Sequence, residues 1–266
     1  MFKNTGYGLL IILISVVFSS CSSYNKIQKS PDYKLKYTKA LEYYDKGDYF
    51  KAMTLFDQVI PFYRGKPEAE NIGYKYSYAY YYQKEYIMAS YYFNRFAKTY
   101  PRNEHSEECA FMAAYCKYLE SPDYKLDQTN TYDAIAELQV FINAYPYSDR
   151  VDQCNELIDE LRDKLQKKEL EVAKLYLKME RYKAAVTSFE NLMKLYPDTP
   201  YREDAMFYTI KAYYYYASKS VKKKRKERYM EAVDTYNEFV KLYPDSKFNR
   251  DVEYMVNKVN KDLKKL

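Results

Sequence analysis

The sequence predicts an all-α protein: a stack of about five helix pairs closed by a C-terminal capping helix. Three observations predict it. The stretch FNRFAKTYP (Phe93–Pro101) returns as LQVFINAYP (Leu138–Pro146), FENLMKLYP (Phe189–Pro197) and YNEFVKLYP (Tyr236–Pro244). Twelve residues before each of those prolines stands an alanine: Ala89, Ala134, Ala185 and Ala232. Glycine is rare, with five in 266 residues, and proline gathers at the repeat ends. Apolar residues at i, i+3 and i+7 define a helix face, and a Pro just beyond them stops the helix. One helix ending used again and again marks a repeat protein. Ala52 with Phe56 begins a fifth, weaker copy, in which Arg64 stands where Pro is expected and Pro61 comes early.

The elements follow in order. A first helix is expected near Asp32–Lys46, opened by Pro31 and ended at Gly47-Asp48. Its partner should start at Tyr49 and stop near Ile60, before Pro61. The second pair is Glu68–Gln83 with Tyr86–Tyr100. The third is Glu104–Leu119 with Thr131–Tyr145, interrupted by the loop Glu120–Asn130, whose Pro, Asp, Asn and Thr favour turns. Between Ser148 and Met179 there is no Gly or Pro, and Leu157, Leu161 and Leu165 make one apolar stripe. One long helix, or two nearly continuous ones, should run there. It would lead into the fourth pair, Gln166–Lys178 with Tyr182–Tyr196. The fifth is Tyr201–Ala217 with Glu227–Tyr243, with Thr199-Pro200 as an N-cap and N1 pair and a basic insert at 218–226. Phe248–Leu266 is an amphipathic, Lys-rich cap.

Ala40, Tyr43, Gly47, Tyr49, Ala52 and Phe56 together read A-x-x-Y-x-x-x-G-x-Y-x-x-A-x-x-x-F. This spacing resembles the tetratricopeptide (TPR) repeat, a helix–turn–helix unit of 34 residues. The resemblance implies a right-handed superhelical stack whose first helices line a concave groove. Pro-to-Pro spacings of 45, 51 and 47 exceed a plain repeat; the loop, the connector and the basic insert account for the excess.

The N-terminus predicts an envelope protein. Met1–Ser20 has one basic residue, Lys3, and an apolar core at Leu9–Phe18. That core falls short of the roughly 20 residues a bilayer span needs, so it reads as a signal peptide. Phe18-Ser19-Ser20-Cys21 resembles a lipobox, in which Cys21 would be lipidated by three acyl chains, enough for a permanent anchor. Ser22 after that cysteine resembles an outer-membrane address. The expected organisation is therefore a signal at 1–20, a lipidated tether at 21–31, an N-terminal half of three repeats at 32–147, a helical connector overlapping repeat four at 148–179, and a C-terminal half with its cap at 180–266.

No catalytic constellation is legible. There is no P-loop, G-x-S-x-G or H-E-x-x-H, and the single histidine, His105, reads as a surface or capping residue. No metal or cofactor is expected. Cys109 and Cys116 lie seven apart on one helix, about 10 Å, too far to bridge. A bridge from either to Cys154 stays open, though an odd count favours buried free thiols. The net charge of +6 is spread along the chain and does not point to nucleic acid.

Two features point to binding. Tyrosine supplies 37 residues. Tyr74, Tyr78, Tyr81 and Tyr82 share the first helix of the second pair, where spacings of three, four and seven put several on one face, and Tyr37 and Tyr44 take the places of Tyr74 and Tyr81 in the first repeat; Tyr37, Tyr44, Tyr74, Tyr78 and Tyr81 are the groove candidates. Such a surface suits an extended peptide, while any one ring is as well explained by packing between repeats. The second feature is the basic run around Lys222, Lys223, Lys224, Arg225 and Lys226, which suits anionic lipid or an acidic partner, or is simply a solvated inter-helix loop.

The lipobox, the tether and five irregular repeats with Tyr-Pro endings at 100–101, 145–146, 196–197 and 243–244 resemble the BamD family, TPR lipoproteins of the outer-membrane β-barrel assembly machine. The resemblance implies a non-enzymatic scaffold on the periplasmic side of the outer membrane. It implies that repeats one and two (34–100) bind unfolded β-barrel clients and that 201–266 docks the POTRA domains of BamA. Alternative readings are an adaptor lipoprotein in cell-wall coordination or nutrient uptake, and a cell-wall hydrolase with a hidden site. This chain departs from the family's pattern in its tyrosine content, its basic insert and the displaced Pro of repeat one.

Overall fold

A computed structural model describes residues 23–266. Cys21 and the signal segment lie outside the described residues. After a short helix at 23–29 come α1 (Tyr33–Asp45), α2 (Tyr49–Tyr63), α3 (Glu68–Tyr82), α4 (Tyr86–Thr99), α5 (Ser106–Leu119), α6 (Thr129–Ala144), α7 (Val151–Lys178), α8 (Tyr182–Leu195), α9 (Arg202–Ser218), α10 (Lys222–Leu242) and α11 (Asn249–Leu263). The described residues are all-α, with no strand among them. None of these helices is long and apolar enough to cross a membrane.

The chain forms two compact units. Among the described residues, one holds 23–121 together with Asn130–Asn155; the other holds Pro122–Thr129 and Glu156–Leu266. In both, the repeated alanines lie inside: Ala52, Ala89, Ala134, Ala185 and Ala232 are all fully buried, where a small side chain lets neighbouring helices come close. The large residue four positions on fills the space beside each early alanine: Phe56, Phe93, Leu138 and Phe189 are also fully buried. Burying a side chain of that size is worth about 1.5–3 kcal/mol, so this ladder supplies much of each core.

The turn inside a pair is one motif used three times. Gly47, Lys84 and Glu180 take left-handed φ values of 77°, 60° and 58°. Each donates its N–H three residues back, to Tyr44, Tyr81 and Leu177, and the next residue donates five back, to Tyr43, Tyr80 and Tyr176. This is a Schellman ending, and only at position 47 is the residue the glycine it favours. Asp48 then caps α2 by accepting from the Lys51 N–H.

The turn between pairs is also repeated. The N–H of Tyr100, Tyr145, Tyr196 and Tyr243 donates to the carbonyl four residues back, at 2.8–3.0 Å, as the last helical bond before Pro. Two residues after each Pro stands Asn103, Ser148, Thr199 or Ser246. Its side chain accepts the N–H two residues further on (His105, Arg150, Tyr201 and Phe248), at 2.8–3.2 Å. The next helix starts one residue later. Ser30 does the same ahead of α1, accepting from the Asp32 N–H at 3.1 Å. Three of these polar residues also reach back to the first turn of the preceding pair: Asn103 to Glu70, Ser148 to Glu107 and Ser246 to Glu203, each at 2.5 Å.

Several boundaries differ from expectation. Pro61 lies inside α2, because only the last turn loses a bond and the extra residues are held by packing. Tyr63 is buried, and Phe62 stacks on Tyr33 with ring centres 4.7 Å apart. Thr199-Pro200 is not the N-cap pair of α9; Thr199 closes the turn just described, and the helix starts at Arg202. Of the two arrangements expected between Ser148 and Met179, the chain takes the single helix, Val151–Lys178. The loop after α5 is shorter than expected, since α6 already begins at Thr129, and residues 122–129 pack along α7. There the Lys168 ammonium donates to the Leu126 carbonyl at 2.5 Å, and Lys167 lies over the Tyr124 ring. The basic insert is not a loop: α10 starts at Lys222 and takes in most of it.

A Cβ at Gly47 would meet nothing within 4 Å, so only backbone conformation favours glycine there. Lys84→Gly and Glu180→Gly should each raise stability by about 1 kcal/mol in urea unfolding, and Gly47→Ala should lower it by a similar amount.

Candidate peptide-binding surface

The tyrosines named from sequence meet in the first unit, where the first helices of successive pairs lie side by side. Tyr74 stacks on His105, ring centres 4.2 Å apart at 22°, and its hydroxyl donates to Glu108 Oε2 at 3.1 Å. Tyr78 donates to the other oxygen of the same carboxylate and sets its ring edge-on against Phe93. The Nδ1 of His105 is 3.5 Å from Glu108 Oε2. One carboxylate thus ties two phenols and an imidazole together between α3 and α5. His105 is therefore more than a surface residue; it occupies the N-cap position of α5, but its side chain makes no capping bond. Tyr37 leans on Tyr63 and accepts from the Asn71 side-chain amide at 3.1 Å. These three candidates have their hydroxyls engaged in joining repeats.

Tyr44 and Tyr81 differ. Both are half-buried, and neither hydroxyl has a hydrogen bond among the described residues. Tyr44 lies between Tyr49 and Tyr82, with the Lys75 ammonium 4.3 Å from its ring centre. Tyr81 touches Tyr78, Tyr82 and Tyr86. Tyr82, which the sequence groups with these tyrosines but not among the groove candidates, is 47% exposed and stacks on Tyr49 at 4.6 Å. The signal for it was present in its four-residue spacing from Tyr78. The surface available to a ligand is therefore centred on Tyr44, Tyr81 and Tyr82, with Tyr74 and Tyr78 as its support.

Burial raises the phenol pKa on both sides of this division. Burial, followed by the Glu108 charge and hydrogen bond, pushes the Tyr74 hydroxyl up to about 12. Tyr78 is raised further, by burial and by its bond to Glu108. Tyr44 is raised by burial and by neighbouring phenols, and Tyr81 in the same direction by burial. All stay protonated as hydrogen-bond donors at neutral pH.

In the second unit the basic run opens α10. Arg225 donates to the Ser220 carbonyl at 3.0 Å, and Arg228 binds the Ser220 hydroxyl while lying over the Tyr216 ring. Lys224 pairs with Glu227 at 3.0 Å. Lys222, Lys223 and Lys226 are exposed and make no ion pair among the described residues. The first turn carries no acid, so the cluster stands against the positive end of the helix dipole.

Cys109, Cys116 and Cys154 are free and buried. Burial pushes Cys116 up to about 12 and Cys154 up to about 11, and raises Cys109 in the same direction, so they are inert thiols. Among the described residues no group of three His, Cys, Asp or Glu is placed to hold a metal.

A family model described as YfiO, outer membrane lipoprotein, matches residues 30–229. The chain belongs to that family. Among similar proteins, the outer membrane protein assembly factor BamD of Caulobacter vibrioides is 23% identical over 206 residues, spanning 76% of this chain and 68% of its own. The factor of the same name from Pasteurella multocida is 22% identical over 213 residues, spanning 76% and 82%. A solved TPR repeats protein from Bacteroides fragilis aligns with 87% of this chain and 99% of its own, at 16% identity. Its TM-score of 0.40 is too low to establish a shared overall arrangement. The YfiO match ends at 229, within α10.

The raised phenols make an alkaline prediction. In the unfolded chain Tyr74 titrates near 10.0, against about 12 when folded, so unfolding releases its proton first. Its contribution to stability is complete below pH 10 and is lost as pH climbs to about 12. Tyr74→Phe and Tyr78→Phe should lower stability at pH 8 by about 1 kcal/mol each, yet flatten its decline between pH 10 and 12; urea unfolding followed by circular dichroism measures both.

Proposed function

We propose that this chain is a lipid-anchored periplasmic scaffold subunit of the β-barrel assembly machinery, binding unfolded outer-membrane clients and docking to the POTRA domains of BamA. The observation that carries the reading is the family match over 30–229, together with relatives of comparable length whose names are those of assembly factors. Cys21 would hold the lipid. The work is binding and release, with no bond made or broken.

The aromatic surface suits the client. A barrel strand alternates apolar and polar side chains and carries aromatic residues near its ends. Rings at Tyr44, Tyr81 and Tyr82 give contact area at low conformational cost, and their free hydroxyls can meet the unpaired backbone groups of an extended segment. Support from the Glu108 network keeps those rings in place before the client arrives, which reduces the ordering cost of binding. Residues 201–266 would form the BamA face. Lys222, Lys223 and Lys226 face solvent on a helix anchored by Arg225 and Arg228, and would meet anionic lipid head groups.

Two tests follow from this reading. A labelled peptide copying the last strand of a barrel protein should bind the full chain, and Tyr81→Ser with Tyr82→Ser should weaken it about tenfold. Unchanged affinity would remove the aromatic surface from the client role, and absence of BamA from an affinity purification of solubilised envelopes would remove the assembly role. Lys222→Glu, Lys223→Glu and Lys226→Glu together should reduce co-flotation with vesicles containing anionic lipid, each lysine contributing about 1 kcal/mol at low salt. Flotation equal to the parent chain would leave the lysines without a membrane role.

A further inference from the structure

The first unit carries a cavity of about 250 Å³ that the client surface does not use. It lies between α2, α3 and α4. Ile72 and Phe96, both buried, form its floor, and Tyr92 closes one wall. Gly73 keeps it open: a Cβ there would stand 3.2 Å from the Phe96 ring, so any side chain would displace the floor. At the mouth are Arg64 and Arg95, both exposed. Neither has a carboxylate partner among the described residues, and no Asp or Glu lines the cavity. Two acids adjoin the wall, and both are already engaged: Asp57 accepts the Tyr76 hydroxyl, and Glu70, in the neighbouring groove with Thr99 and Tyr100, accepts the Asn103 amide.

The cavity opens away from the aromatic surface. On α3, Ala69, Ile72, Gly73 and Tyr76 recur at three and four residues and share one face, whereas Tyr74, Tyr78 and Tyr81 share the opposite one. A ligand in the cavity and a strand on the tyrosines need not compete.

We propose that this cavity docks an extended segment of a partner protein that inserts one large apolar side chain between flanking carboxylates. The apolar floor selects the inserted side chain by burial. The two guanidinium groups select the carboxylates, which they bind through paired N–H donors and which find no competing acid in the lining. The cavity holds one large side chain rather than the full length of a membrane acyl chain, and its two arginines take charges placed on either side of that side chain, as an extended peptide presents them. The site goes beyond the client-binding role and gives the protein a second partner on its other face.

The probe is a fluorescently labelled octapeptide with a central Glu-Phe-Glu, titrated by anisotropy into the full lipidated chain in detergent. Saturable binding is expected. Replacing the peptide's Phe by Ala, or its two Glu by Gln, should weaken it at least about tenfold, as should Arg64→Glu with Arg95→Glu. The charge-reversed chain should instead take the Lys-Phe-Lys peptide. These arginines are on the surface, and circular dichroism should report an unchanged helix content. Tyr81→Ser with Tyr82→Ser should leave the affinity for this probe unaltered. The proposal is overturned by no saturable binding, by binding indifferent to the arginines, or by binding indifferent to the peptide's Phe. The barrel-strand peptide reports separately on the aromatic surface, so either role can fail without the other.

Discussion

The structure depends on how one helix pair hands the chain to the next. A Tyr-Pro ends the second helix, and the proline removes the donor that would continue it. Two residues later a short polar side chain takes the N–H ahead of the next helix, setting its start. At Asn103, Ser148 and Ser246 the same side chain also grips a glutamate in the first turn of the preceding pair. Those glutamates sit where the helix dipole already favours negative charge. A local turn, a long-range contact and a helix end are thus satisfied by one small residue. Each link repeats a nearest-neighbour geometry, which is the economy of a repeat array.

Tyrosine then does two jobs that its two ends make possible. The ring packs between helices, and the hydroxyl must find a partner when buried. Tyr76 meets this by bonding Asp57 and Tyr80, Tyr229 by bonding Asp262, and Tyr74 and Tyr78 by sharing Glu108. A core of phenylalanine would need no such acids but would leave no polar atoms where the rings reach the surface. Tyr44 and Tyr81, whose hydroxyls are not bonded among the described residues, lie where this network meets solvent, beside Tyr82, whereas the unbonded Tyr24 hydroxyl is buried. Bonded and unbonded rings therefore form one continuous set, with the inner members holding the outer ones.

The two faces of α3 differ in chemistry. The first helices present phenols, neutral and amphipathic. The cleft between second helices presents arginines over an apolar floor. The difference follows from which stripe of α3 each side uses. In the second unit the exposed lysines at the start of α10 add a third chemistry, a positive surface held at its base by Arg225 and Arg228.

The sequence by itself determined the all-α class, the five pairs, the Tyr-Pro ends and the buried alanines, because apolar periodicity and proline are local signals that carry their own geometry. Tertiary structure decided what local signals leave open. Pro61 stays helical because Tyr63 and Phe62 gain packing that outweighs one lost bond. The basic insert is helix because Arg225 and Arg228 bind Ser220 and Tyr216 across the turn. Which tyrosines are free depends on Glu108, a residue 30 or more positions away from Tyr74 and Tyr78 whose role no spacing rule announces. A polar residue stands two positions after each Tyr-Pro, and in three of the four copies its further role depends on the glutamate it reaches.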